Sequence, residues 1–283
     1  MNARAVAVRA GVRRGRIEFA QTMTNVGELL GWLWLPVVAL VVMHAFGDGA
    51  APGVDFPLGA QAVPGILAMN AVFTGLMGLA MALTMDREDG TLLRARATPN
   101  GVLGYVVGKV LGKAAMTVAV LVLVLVPAVF AFDGLQPGRA STWLTLTWVV
   151  LLGLLATLPL GAILGALFRN AQSLGFVMLL IMALVAVSGV FYPITALPGW
   201  AQWVGQAFPL YWVGLGLRSA LLPDAVAAAE IGGSWRELET VAALGAWAVV
   251  GFVVAPIVLR RMARRESGSS VEASRERVAQ RPT

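Results

Sequence analysis

Hydrophobic positions along this chain fall in long charge-free stretches, not in the short alternations of a water-soluble core. Residues 29–47, 56–85, 114–132, 140–168 and 240–259 contain no Asp, Glu, Lys or Arg. About 20 apolar residues at 1.5 Å each cover the roughly 30 Å of hydrocarbon in a bilayer, so each stretch suits one crossing. A further run, residues 170–217, is uncharged over 48 positions and too long for a single span. Pro193, Pro198 and Pro209 interrupt its second half, and each removes a backbone donor and disfavours helix in the residue before it. The pattern predicts a span over residues 173–192, followed by two half-helices that dip back into the membrane over residues 193–218. Broken backbone is tolerated at that depth only where protein or a water-filled cavity surrounds it. The expected fold is an all-α polytopic membrane protein with six transmembrane helices over residues 29–262 and re-entrant half-helices before the last.

Composition agrees: 58% of residues are hydrophobic and 13% charged, with a mean hydropathy of +0.79. The sequence pI near 10.7 raises the question of nucleic acid, and the placement of the charges answers it. With an inner amino terminus, the arm, residues 86–113, Arg169 and residues 260 onward hold 18 of the 21 Lys and Arg residues. Arg139, Arg218 and Arg236 are left outside. This asymmetry predicts cytoplasmic termini and explains the basic balance without nucleic acid. Residues 1–28 carry Arg4, Arg9, Arg13, Arg14 and Arg16, with Val8, Val12, Phe19 and Met23 to one side, which predicts an amphipathic helix in the headgroup layer facing membrane lipids. A cleavable signal peptide is the alternative, disfavoured by an unusually long charged region and the lack of a clear small-x-small cleavage site after it. Residues 263–283 are polar without apolar period and predict a disordered cytoplasmic tail.

The chain has no Cys and a single His44, which removes disulfides, thiolate metal sites and multi-histidine sites. Phosphate cradling by a P-loop needs Gly-x-x-x-x-Gly-Lys-Ser/Thr, and the nearest match, Gly108-Lys109, has Leu103 and Val110 at the other required positions. The predicted spans hold no ionisable residue except His44, whereas proton- and sodium-driven carriers mark their paths with such groups. Driving energy is therefore expected from another subunit. Small residues recur four apart in Gly27/Gly31, Gly104/Gly108/Gly112 and Gly161/Gly165, a spacing that lets helices approach closely in lipid. Packing within the chain is the favoured use of these ridges, with a dimer seam the alternative.

Two stretches can carry function. The longest loop between spans on the inner side, residues 86–99, reads Asp86-Arg87-Glu88-Asp89-Gly90-Thr91 and ends in Thr98-Pro99. Gly90 can break the preceding helix and Thr91 can cap a short new one that stops before Pro99. In the other stretch Trp200, Trp203, Tyr211 and Trp212 surround the broken half-helices, as an interfacial belt or as the lining of an exit gate. Arg218 caps a half-helix carboxyl end or marks the outer boundary.

The order Ser188-Gly189-Val190-Phe191-Tyr192-Pro193, Leu197-Pro198-Gly199-Trp200, Phe208-Pro209-Leu210-Tyr211-Trp212 and Arg218 resembles the signature segment of type-2 ABC transporter permeases, particularly their drug and antibiotic exporter branch. The Glu-x-Gly-Thr segment that runs to Thr-Pro in residues 88–99 is similar to the coupling helix of those permeases, with Glu88, Gly90, Thr91, Thr98 and Pro99 matching. The intervening Leu92-Leu93-Arg94-Ala95-Arg96 lacks the second acid and the mid-helix Leu often found there. The resemblance implies a non-catalytic subunit of the bacterial plasma membrane, paired as a homodimer or with a related permease. It also implies two copies of a separate ATPase that bind ATP and Mg, while this chain holds no cofactor. It assigns residues 86–91, 98 and 99 to ATPase coupling. Gly189, Tyr192, Pro193, Pro198, Trp200, Pro209, Tyr211, Trp212 and Arg218 fall to the exit gate. The implied cargo is a hydrophobic drug, antibiotic or lipid, with a cell-surface polysaccharide or lipid-linked glycan as the alternative. A lipid transferase would need convergent acids, His or Ser, and a channel would need a shared polar filter; the sequence offers neither.

Overall fold

The computed structural model describes residues 3–47, 49, 55–168 and 170–265, and among these every regular element is helical. We number the principal helices α1 (Ala3–Thr24), α2 (Val26–Phe46), α3 (Leu58–Glu88), α4 (Thr91–Arg96), α5 (Gly101–Ala131), α6 (Ala140–Leu167), α7 (Ala171–Val187), α8 (Gly199–Ala207), α9 (Pro209–Leu221) and α10 (Glu237–Arg265). Five of them, α2, α3, α5, α6 and α10, are long and apolar enough to cross a bilayer. The chain is thus an all-α polytopic membrane protein. The remaining expected span, fifth in chain order, is the shorter α7. Its 17 residues cover about 26 Å, and it stops before Tyr192 because Ser188 bonds back to the Val185 carbonyl and Gly189 turns left-handed at φ 65°.

The third span also differs from expectation. It begins at Gly101, well before residue 114, because Lys109 and Lys113 lie within the helix instead of in a loop. Both ammonium groups find partners there, Lys113 over the Trp32 ring and Lys109 in ion pairs described below. At 31 residues α5 is roughly 46 Å long, more than a bilayer core requires, so several of its turns extend past the hydrocarbon.

Helix α3 lies at the centre, against α2, α5, α6 and α9, and it is buried almost continuously from Gly59 to Val72. A π-helical turn at Phe73–Met77 shifts its register midway. Around it, α2, α5, α7 and α10 expose large apolar side chains such as Trp34, Phe130, Phe176 and Phe252. Such a surface is stable only against lipid or another apolar face.

Two glycine ridges are consumed inside the chain. A Cβ on Gly11 would lie 2.4 Å from the Gly104 carbonyl, and one on Gly15 would lie 2.7 Å from that of Gly108. This seam binds α1 along α5 through Ala7, Gly11 and Gly15, while Val8 and Val12 remain exposed. Gly161 and Gly165 likewise seat α6 on the Leu76 and Ala80 carbonyls of α3. The Gly27/Gly31 ridge is different, since nothing lies within 4 Å of a Cβ on Gly31. Of the tail expected from residue 263, the first three residues continue α10 and the remainder lies outside the described residues.

Candidate functional site

The elbow over residues 86–101 is built by α3, α4 and the start of α5. Gly90 adopts φ 79°, a left-handed conformation that glycine takes without strain, and this reverses the chain after α3. The cap of α4 comes from Asp89 and not from Thr91: the Thr91 backbone N–H donates to Asp89 Oδ1 at 2.8 Å. The Thr91 hydroxyl instead accepts from Arg94 Nη2 at 2.9 Å, and Thr98 Oγ1 donates to the Ala95 carbonyl, which closes the short helix before Pro99. Burial acts to raise the Asp89 carboxyl, yet the Thr91 bonds and the Arg94 charge together hold it below its ordinary value. Arg94, Arg96, Thr98 and Pro99 are exposed. Leu92, 1% exposed, joins a buried core with Leu79, Leu83, Tyr105, Leu158 and Met262, and the little helix itself packs chiefly against α3 and α5.

Two residues expected in this loop point the other way. Arg87 is buried and its Nη1 donates to the carbonyls of Gly165, Ala166 and Phe168 at 3.1, 3.3 and 3.1 Å. It caps the carboxyl end of α6, where unpaired carbonyls and the helix dipole favour a cation. Asp86 accepts from Tyr105 Oη at 2.9 Å and pairs with Lys109 Nζ at 2.9 Å. Lys109 also reaches Glu18 of α1 at 3.2 Å, and Glu18 pairs with Arg14 at 2.8 Å. Burial works to raise the Glu18 carboxyl, but Arg14 and Lys109 outweigh it and hold the group below its usual value. Sequence reasoning missed Glu18, Leu92, Tyr105 and Lys109. One acid within an arginine-rich arm, and a Tyr and a Lys four residues apart on one helix face, were the available signals.

At the opposite end, α8 begins after Pro198 and α9 opens with Pro209 at its first turn, where a missing N–H costs nothing. The expected gate residues divide by burial. Trp200 and Trp203 are 68% and 78% exposed on α8, whereas Tyr211 and Trp212 are buried edge to face at 5.1 Å. Trp212 Nε1 donates to the Gln206 carbonyl, and the Arg236 guanidinium lies 4.9 Å above its ring while donating to Gln206 Oε1 at 2.8 Å. Tyr192 donates to the Ala186 carbonyl, which ties the turn after α7 to that helix.

Arg218 is turned into the protein, toward the carboxyl end of α7. It is 2% exposed, its Nη1 donates to the Gly189 carbonyl at 3.1 Å, and its Nε pairs with Glu230 at 2.7 Å. Glu230, 3% exposed, stands between two 3₁₀ turns, Asp224–Ala229 and Ile231–Gly233, and was missed because it reads as an ordinary outer-loop acid. Desolvating such charges costs several kcal/mol per ion, which the attraction between them offsets only in good geometry. No group of three or more His, Cys, Asp or Glu residues suited to a metal occurs among the described residues.

Five helices long and apolar enough to cross a membrane, with the short α4 at one end and the proline-broken α8 and α9 at the other, define a polytopic membrane protein. Residues 57–257 match the family described as ABC-2 family transporter protein, and the chain belongs to that family, the type-2 ABC permeases. It is a multi-pass permease subunit, and family membership implies association with an ABC ATPase. No curated protein matches the chain.

Proposed function

We propose that this permease is an exporter subunit of the bacterial plasma membrane, with cytoplasmic termini, that moves a hydrophobic drug, antibiotic or lipid outward. It works as a dimer with two copies of a separate ATPase. The observation that carries this reading is the anchoring of α4. Leu92 sinks into packing shared by α3, α5, α6 and α10, and Arg87 ties the same elbow to the end of α6. A load applied to the exposed Arg94, Arg96 and Thr98 is therefore passed to α3 and α5 directly and to α6 and α10 through the core they share with Leu92. ATP-driven closure of the ATPases would push on residues 86–99, tilt the bundle, and release cargo between protomers past α8 and α9.

The test is reconstitution of the chain with its ATPase in proteoliposomes loaded with a lipophilic dye. Gly90→Pro, which cannot adopt φ 79°, is expected to abolish ATP-dependent dye export while leaving membrane insertion intact. Undiminished export by this variant would remove residues 86–99 from the coupling path. Export of a lipid-linked glycan but of no dye would replace the cargo assignment with the glycan one.

A further inference from the structure

The ion pair between Arg218 and Glu230 has no part in the reading drawn from the sequence, and its surroundings give it one. Three segments meet at it. Arg218 projects from α9, the Gly189 carbonyl it binds belongs to the left-handed turn after α7, and Glu230 belongs to the segment between α9 and α10. A second tie runs parallel, since Thr195 Oγ1 donates to the Ala229 carbonyl at 2.7 Å. A third joins the α5–α6 connection to α9, where the Gln136 N–H donates to the Leu221 carbonyl at 2.9 Å. Three ties thus close this end of the bundle, and the only ionic one among them runs through Arg218.

The pair is poorly suited to be permanent cement. Both side chains are almost wholly removed from solvent, and among the described residues Arg218 Nη2 and Glu230 Oε2 have no hydrogen-bond partner. A pair of packed apolar residues would hold the same elements together at no desolvation cost. Charges that are dear when dry and cheap when wet favour an element that must both close and open, because water entering on separation satisfies the groups left unmatched in the closed form.

We propose that Arg218 and Glu230 form the latch of the outer gate, closed in this conformation by drawing the 224–233 segment onto α9 and the Ser188-Gly189 turn, and released by hydration when the bundle tilts. This rests on the permease reading above. Both are positioning residues, since neither is required to touch cargo.

The absence of native cysteine makes the latch directly readable. Ser188, 2% exposed beside the Gly189 carbonyl, is replaced as Ser188→Cys and titrated in intact cells with a membrane-impermeant maleimide. In this background Glu230→Gln and Arg218→Gln are each expected to raise the labelling rate about tenfold, and Arg218→Lys, which keeps the charge, only about threefold. The double substitution Arg218→Met with Glu230→Leu should label as slowly as the parent yet lose export, because an apolar pair closes the mouth and gains nothing from water. Labelling within twofold of the parent for the single variants, or parental export by the double variant, overturns the proposal. Should Glu230→Gln fail to reach the membrane, Glu230→Asp serves, and an unchanged rate there overturns it equally. A chain that exports nothing with its ATPase, but still shows the labelling differences, refutes the exporter reading and leaves the latch standing.

Discussion

The Lys109 ammonium lies 2.9 Å from the Asp86 carboxylate and 3.2 Å from that of Glu18, so one lysine of α5 joins the end of α3 to the amino-terminal arm. Asp86, by sequence the first residue of a docking loop, is instead turned into the protein. Lys109→Met should strand two carboxylates against each other. Breaking a fully buried pair costs about 3–5 kcal/mol, and partial solvation of Glu18 reduces this to roughly 2 kcal/mol. Thermal unfolding in detergent should show a fall of several degrees, and Asp86→Asn should reverse part of it.

The arm should also be sensitive to acid. Because the Glu18 carboxyl is held below its ordinary value in the folded protein, its contribution is complete above the unfolded value near about pH 4.3 and is lost as the pH falls through the folded one. Spin labels on α1 and α5 should report a single short distance at neutral pH that broadens as the pH falls below the ordinary carboxylate range. Glu18→Gln should show the broad distribution at every pH. An unaltered distance in that variant would mean that the glycine seam alone holds the arm.

The glycine seam gives a contrast between two ridges that look alike in sequence. Gly11→Ala places a methyl 2.4 Å from the Gly104 carbonyl oxygen and should cost about 1–3 kcal/mol by overpacking, read as faster proteolysis of the arm. Gly31→Ala meets nothing within 4 Å and should stabilise the monomeric chain by about 0.5–1 kcal/mol through helix propensity. Equal effects at the two positions would contradict the seam.

Arg87→Ala removes the donor to three carbonyls at the end of α6 and should destabilise the protein by about 1–3 kcal/mol. Since the guanidinium faces inward, the same variant should retain the ATPase on co-purification, whereas Arg94→Glu, on the exposed face of α4, should release it. Loss of the ATPase from Arg87→Ala at unchanged thermal stability would show that Arg87 docks the partner directly.

Length and apolarity sufficed for much of this protein. The charge-free stretches specified crossing helices because hydrocarbon admits no unsatisfied backbone. Pro193, Pro198 and Pro209 marked where helix must break, since proline lacks the donor that a helix interior needs, and α8 and α9 begin where two of them stand. Gly90 with its neighbours announced a sharp turn before a short helix, because only glycine takes φ 79° freely. Pairing was beyond reach of the sequence. Whether Lys109 belongs to a loop or a helix depends on Asp86 and Glu18, whether Arg87 faces a partner or α6 depends on how two helices cross, and Glu230 gains meaning only beside Arg218. A charge placed near a membrane boundary is read from its own position in the chain, but its role is set by the opposite charge or carbonyl that folding brings within about 3 Å, where electrostatic attraction in a dry interior outweighs what composition alone would predict.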